Sequence, residues 1–380
     1  MVRVVTRKIL GAICLFVLCG ILVAGLWPFH APRNQVTWLN GTNGLSFAKY
    51  SSVVSAGDLN AKLPETDGSC SLVMLLKPRQ IEGTGMILAF YRDGFVPFAI
   101  RQYHHGLVLE RAPFSKSRSG KQSTLAIYVD KVFNSQRPVL VTITSNQAAT
   151  RVYADGIVLR ESADFELSPD DLTGRLVIGN SPVKPYPWSG EFRGLGIYDR
   201  ELTAVDVSWT KSERSEVTGN DAIAVYLFNE GKGSIAHNQI DSATDLLIPE
   251  RFFILHEQFL ERPWDEYRPG WHYWKDVAIN IVGFIPLGFF FCAYFSLVQK
   301  SKGAVGTTIA LGFVVSLTIE VLQSFLPTRD SGITDLITNT LGTAIGAIVY
   351  RYNLVPQMSS AAKGSSQSPI RQVTRAIASS

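Results

Sequence analysis

The sequence predicts a multidomain membrane protein: an α-helical transmembrane bundle of about four helices joined to an all-β jelly-roll sandwich. Three observations carry this prediction. Apolar residues concentrate near the N-terminus and after residue 276, although the overall hydrophobic fraction of 46% is ordinary. The intervening chain breaks into short segments rich in β-branched and aromatic residues. Lys and Arg gather in the short segments that flank the apolar runs.

Residues 9–27 (ILGAICLFVLCGILVAGLW) carry no charge and can cross a hydrocarbon core of about 30 Å. A cleaved signal peptide ending near Val23-Ala24-Gly25 is the rival reading, and the length of the run favours a retained anchor. Three further spans are expected at about 277–298, 304–326 and 333–350. Nine of the 36 Lys and Arg lie before the first span, between the second and third, or after the fourth: Arg3, Arg7, Lys8, Lys300, Lys302, Arg351, Lys363, Arg371 and Arg375. Those segments hold no Asp or Glu, and the remaining 27 basic residues face 32 acidic ones. The net charge of +4 therefore reports topology and gives no case for nucleic-acid binding. The positive-inside rule puts both termini in the cytoplasm and residues 28–276 outside, at the inner or plasma membrane.

The expected domain order is 1–27, the cytoplasmic N-terminus and first span; 32–246, an exterior β-sandwich; 249–275, an aromatic juncture; 276–350, the remaining helices; and 351–380, a disordered cytoplasmic tail. Cys70 is the only cysteine outside the spans, so the exterior region has no internal disulfide and no zinc spacing.

Within the sandwich, CSLVMLLK, GMILAFYR, GLVLERA, VLVTITS and GEFRGLGIYDR are typical strand segments, with turn signals every 8–12 residues or so. ELTAVDVSWTKSE (201–213) reads as the one helix among them. The adjacent His104 and His105 are expected to face opposite sides of a strand, which argues against a joint ligand role. In the juncture, Phe252, Phe253, Leu255, Phe259 and Leu260 are placed on one side of a short interfacial helix. Trp264, Tyr267, Trp271, Tyr273 and Trp274 then crowd the entry to the membrane as an interfacial belt.

The segment RVYADGIVLRES, then GRLVIGN, then WSGEFRGLGIYDRELTAVDV resembles the closing half of laminin-G-like, concanavalin A-like lectin domains. Asp155-Gly156 would form the tight turn of its hairpin. The resemblance implies glycan or partner binding, with calcium at the sandwich rim as a candidate cofactor; no ligand set is readable. The carboxylate triplet of glucanases of this fold is missing, which favours a non-catalytic domain.

The spans contain polar residues at helical spacing. Asp276, Asn280 and Gly283 share one face of the second span; Gly312, Ser316, Glu320 and Gln323 one face of the third; Asp335, Asn339, Gly342 and Gly346 one face of the fourth. Small residues let helices approach closely, and the polar ones can bond across the contact. Glu320, Asn280 and Asn339 all lie within about 9 Å of the surface that carries the exterior domain. Intramembrane charge usually marks a bundle interior or wet cavity. A purely structural network, with Glu320 protonated or paired with Arg329, is the competing reading. Asp330 or Ser331 is expected to cap the fourth span.

These residues, in KDVAINIVGFIPLGFFF and SLTIEVLQSFLPTRDSGITDLITNTLGTAIG, closely resemble the VanZ-like membrane family, matching at Asp276, Asn280, Pro286, Gly288, Glu320, Gln323, Arg329, Asp335, Asn339, Gly342 and Gly346. The resemblance implies a cell-envelope protein in a glycopeptide-resistance context, with the lectin-like domain inserted between the first two spans. Expected partners are membrane lipid and polysaccharide, lipid-linked glycan or glycopeptide. The favoured function is non-enzymatic binding. The alternative is an intramembrane enzyme on a lipid-linked substrate, with Glu320 or Asp335 as acid or base.

Overall fold

The computed structural model describes residues 2–60, 68–112, 125–203, 222–256, 259–267, 269–299 and 303–354. It divides into two compact units: Ala31–Glu257, and a discontinuous one built from Met1–His30 with Gln258–Ser380.

The Ala31–Glu257 unit is a sandwich of two eight-stranded antiparallel sheets. In the first, the central strands Gly190–Tyr198, Cys70–Pro78 and Val139–Ser145 lead outward to the hairpin Thr150–Ala154 and Ile157–Ser162. Ala222–Tyr226 pairs with Gly190–Tyr198 off the main path. In the second, Val53–Ser55, Arg175–Ile178, Thr84–Tyr91, Phe98–Tyr103, Gly106–Arg111 and Leu125–Val129 lie side by side. Alternating residues from both sheets, among them Leu72, Met74, Leu88, Phe90, Ile100 and Ile197, interdigitate in one apolar core. Asp155 and Gly156 form a two-residue hairpin turn at φ 50° and 83°, with Ala154 paired to Ile157. That left-handed pair matches strand twist and suits an Asp-Gly sequence.

Of three local expectations, two are revised and one falls where little is described. The helix expected over 201–213 falls largely outside the described residues. None of the described residues between 249 and 262 is helical; Phe252 is buried in the sandwich against Tyr50, and its N–H donates to the Pro32 carbonyl at 2.9 Å. The strand before them ends at Tyr103, so His104 and His105 sit in a hairpin turn rather than on opposite faces of a strand.

The other unit is helical, with α1 Val2–Leu26, α2 Trp271–Gln299, α3 Ala304–Gln323 and α4 Ile333–Val349. Stretches of α1, α2 and α3 are long and apolar enough to cross a membrane. Helix α4 is shorter, at 17 residues. A one-turn helix, Pro263–Glu266, precedes α2. Its Trp264, with Tyr267, Trp271 and Trp274, is exposed.

Helices α2 and α4 touch backbone to backbone. A side chain at Gly342 would meet the Ile281 carbonyl, one at Gly346 the Ile285 carbonyl, and one at Gly288 the Thr343 carbonyl. Gly312 of α3 lies against the Thr343 side chain. Gly283, which helical spacing puts on the packed face of α2, has open space where its side chain would be. Gly288, five residues along, makes the close approach instead.

Candidate functional site

The polar residues of the helical unit are brought together where α4 begins. Glu261 and Gly332 form a parallel bridge: the Glu261 N–H donates to the Ser331 carbonyl at 2.9 Å, and the Ile333 N–H to the Glu261 carbonyl at 3.0 Å. This short pairing carries the one-turn helix Pro263–Glu266 over the start of α4. The Glu266 carboxylate rests against the α-carbon of Gly332, where any side chain would collide with it.

Gly332, not Asp330 or Ser331, occupies the N-cap position of α4, and it has no side chain to cap with. The cap comes from another helix: Glu320 Oε2 of α3 accepts the Gly332 N–H at 2.9 Å. A helix N-terminus leaves N–H groups unpaired and carries partial positive charge, so a carboxylate there meets both needs. Glu320 is buried, at 1% exposure. One turn into α4, Asp335 Oδ1 accepts from Asn280 Nδ2 of α2 at 2.7 Å. A turn deeper, Asn339 Nδ2 donates to Ser316 Oγ of α3 at 3.0 Å. Thus Asn280, Glu320, Asp335, Asn339 and Ser316 form stacked polar layers across three helices.

Gln323 and Arg329 act elsewhere. Gln323 Nε2 donates to the Gly25 carbonyl at 2.8 Å, and the Arg329 guanidinium to the Trp27 carbonyl, with Nε at 3.1 Å. Both carbonyls lie at the C-terminal end of α1, where helical partners run out. The pairing of Arg329 with Glu320 is therefore replaced by a latch on α1. Asp276 is exposed at the rim.

The electrostatics are one-sided. Asp335 feels the charges of Glu266, Asp276 and Asp330, and Glu320 those of Asp335 and Glu266. A buried acceptor adds to this excess: Asn339 Oδ1 receives no hydrogen bond from the described residues. Glu266 is the site residue that sequence reasoning missed. The available signal was its place in ERPWDEYRPG, an acidic pair directly ahead of a span.

In the sandwich, His104 and His105 share one carboxylate. His104 Nδ1 lies 3.0 Å from Glu82 Oε2, His105 Nδ1 3.4 Å from Glu82 Oε1, and His105 Nε2 2.6 Å from Asp130 Oδ1. Among the described residues no three His, Cys, Asp or Glu side chains close into a metal-holding group.

Residues 222–355 match the VanZ/LLP1 family model, and residues 48–208 match that of the concanavalin A-like lectin/glucanases superfamily. The chain is thus a membrane protein made of two matched regions. Its C-terminal helices are VanZ-like, and its sandwich is laminin-G-like, of the concanavalin A-like fold. No curated protein matches the chain. Among solved structures, similarity is found to a candidate carbohydrate-binding protein from Bacteroides ovatus, at 12% identity and a TM-score of 0.40, covering 54% of this chain and 57% of that one. The receptor binding domain of botulinum neurotoxin D is similar at 15% identity and a TM-score of 0.32, covering 46% of this chain and 45% of that one. The chain therefore spans less than two thirds of either structure.

Proposed function

We propose that this is a non-enzymatic cell-envelope protein with cytoplasmic termini and an exterior sandwich. The sandwich binds a glycan. The helical unit holds the head of a lipid-anchored molecule, an acylated glycopeptide or a glycolipid, at the start of α4. The observation that carries this reading is the convergence of Glu266, Glu320 and Asp335 on one end of the bundle, with the acceptor oxygen of Asn339 left without a donor among the described residues. Buried acceptors without donors are costly, and a ligand that brings donors removes that cost. Hydroxyl and ammonium groups suit such a site. A phosphate would face carboxylates while Arg329 is held by Trp27.

The test uses the full chain in lipid nanodiscs with two fluorescent acyl probes, one headed by an amino sugar and one by a phosphate. The amino-sugar probe binds saturably, and Asp335→Asn weakens it at least about tenfold, one step of 1.4 kcal/mol. Equal binding of the phosphate probe overturns the reading. Turnover of a lipid-linked substrate that Glu320→Gln abolishes would favour the acid–base alternative.

A further inference from the structure

At one end of the second sheet, two tyrosines stand outside the core. Tyr103 closes the strand Phe98–Tyr103, in which Phe98, Ile100 and Gln102 point inward, so Tyr103 points out. Tyr128, on the edge strand Leu125–Val129 one strand beyond Gly106–Arg111, also points out. The two rings are 43% and 42% exposed and meet edge to face at 6.0 Å. The carboxylates of Glu82 and Asp130 flank them, linked through His104 and His105. The Tyr128 hydroxyl donates to Asp130 Oδ1 at 3.2 Å.

The supporting loops are fixed from beneath by one buried side chain. Gln102, 1% exposed, donates to the carbonyls of Gln80 at 2.9 Å and of Ile81 and His104 at 3.0 Å. Its own oxygen accepts from the buried Trp188 indole at 2.8 Å. The Phe133 N–H donates to the His105 carbonyl at 2.8 Å, which ties down the loop that carries Asp130. His104 is held at φ 51°, a left-handed conformation uncommon outside glycine. The group is therefore set before any ligand arrives, which lowers the ordering cost of binding.

From this arrangement we propose that Tyr103, Tyr128, Glu82 and Asp130 form a glycan platform for neutral or amino sugars. The proposal rests on the reading of the sandwich as the glycan-binding part. Flat aromatic rings supply apolar area at little conformational cost and suit the C–H face of a sugar ring. Carboxylates accept strong hydrogen bonds from adjacent hydroxyls. Arg101 lies over Tyr103 but is paired with Glu110 at 2.6 Å, and the imidazoles of His104 and His105 lie against the two carboxylates. While those imidazoles are neutral, the two carboxylates turn away uronic acids and sialic acids.

The test is binding of the full chain in nanodiscs to immobilised neutral, amino-sugar and uronic-acid polysaccharides. Saturable binding to a neutral or amino-sugar polymer is expected, with none to uronic acids. The double variant Tyr103→Ala/Tyr128→Ala should lose at least about tenfold in affinity, while Tyr128→Phe, which keeps the ring, stays within about threefold. Because both tyrosines are surface residues, an unchanged circular dichroism melt separates lost binding from lost folding. If the wild type binds and the double variant binds equally well, the platform is refuted while the glycan reading stands. If the wild type binds none of the polymers, both fall.

Discussion

Replacing Gly342 by Ala tests whether the α2–α4 contact sets the geometry of the site. The added carbon would sit 2.9 Å from the carbonyl carbon of Ile281 and 3.1 Å from its α-carbon, and closer still to its oxygen. These are backbone atoms inside a helix and cannot swing aside. Ordinary carbon contacts begin near 3.5 Å, so α4 has to retreat from α2 by about 1 Å. Overpacking of this kind costs about 1–3 kcal/mol. The better helix propensity of Ala returns about 1 kcal/mol, leaving a net loss of about 1 kcal/mol. Adding Gly346→Ala should cost less than a second full increment, because the helix has already moved. The same retreat stretches the 2.7 Å bond between Asn280 and Asp335, two turns along α4. The assay is a thermal melt of the full chain in nanodiscs, where each kcal/mol is worth about 2–4 °C. Gly283→Ala, which meets open space, keeps the propensity gain without the clash and should melt above wild type by up to about 1 kcal/mol. A Gly342→Ala protein that melts at or above wild type would refute the close contact, as would a Gly283→Ala protein that melts just as low.

Three further outcomes are expected. Glu320→Ala leaves the Gly332 N–H buried without an acceptor and should lower stability by about 1–3 kcal/mol, whereas Glu320→Gln keeps an acceptor; identical melts for the two would remove the capping role. In the sandwich, Asp171 is fully buried and pairs with Arg111 at 2.9 Å while accepting from Ser168; Asp171→Ala should cost about 3–5 kcal/mol, measured by chemical unfolding. Burial pushes the Glu191 carboxyl up, but hydrogen bonds and charge from Lys77 and Arg193 outweigh it and hold the group below the usual carboxylate range. A lowered folded value means the stabilisation is complete above the unfolded pKa of about 4.3 and fades as pH falls through the folded one. The melting difference between wild type and Glu191→Gln should therefore shrink toward pH 3.

The strands were legible because half-buried strands write an alternating pattern, and the Asp155-Gly156 turn because only certain residues accept its backbone angles. The spans were legible because lipid tolerates little but apolar side chains. The face that Asp335 shares with Asn339 followed from helical spacing, and the nearness of Glu320 from the short connection that returns the chain to the same surface. Spacing could not reveal Glu266, whose place depends on the three-residue pairing of Glu261 with Ser331 and Ile333. Nor could it reveal the partner of Arg329, since Trp27 lies 302 residues away in sequence. The misplacement of His104 and His105 has a similar origin: a strand and its turn share composition, and only the register with Gly106 shows where one ends.

The helical unit is sewn from two pieces of chain with residues 31–257 between them. During synthesis at about 5–20 residues per second, α1 waits roughly ten to fifty seconds for α2 to appear. Through that interval the Gly25 and Trp27 carbonyls have no Gln323 or Arg329 to meet, and the whole intervening unit is made first. The ribosome's direction of travel thus makes the closing of the bundle a late event. Arg329, held by the Trp27 carbonyl, is a clasp of that late closing and stands apart from the polar layers.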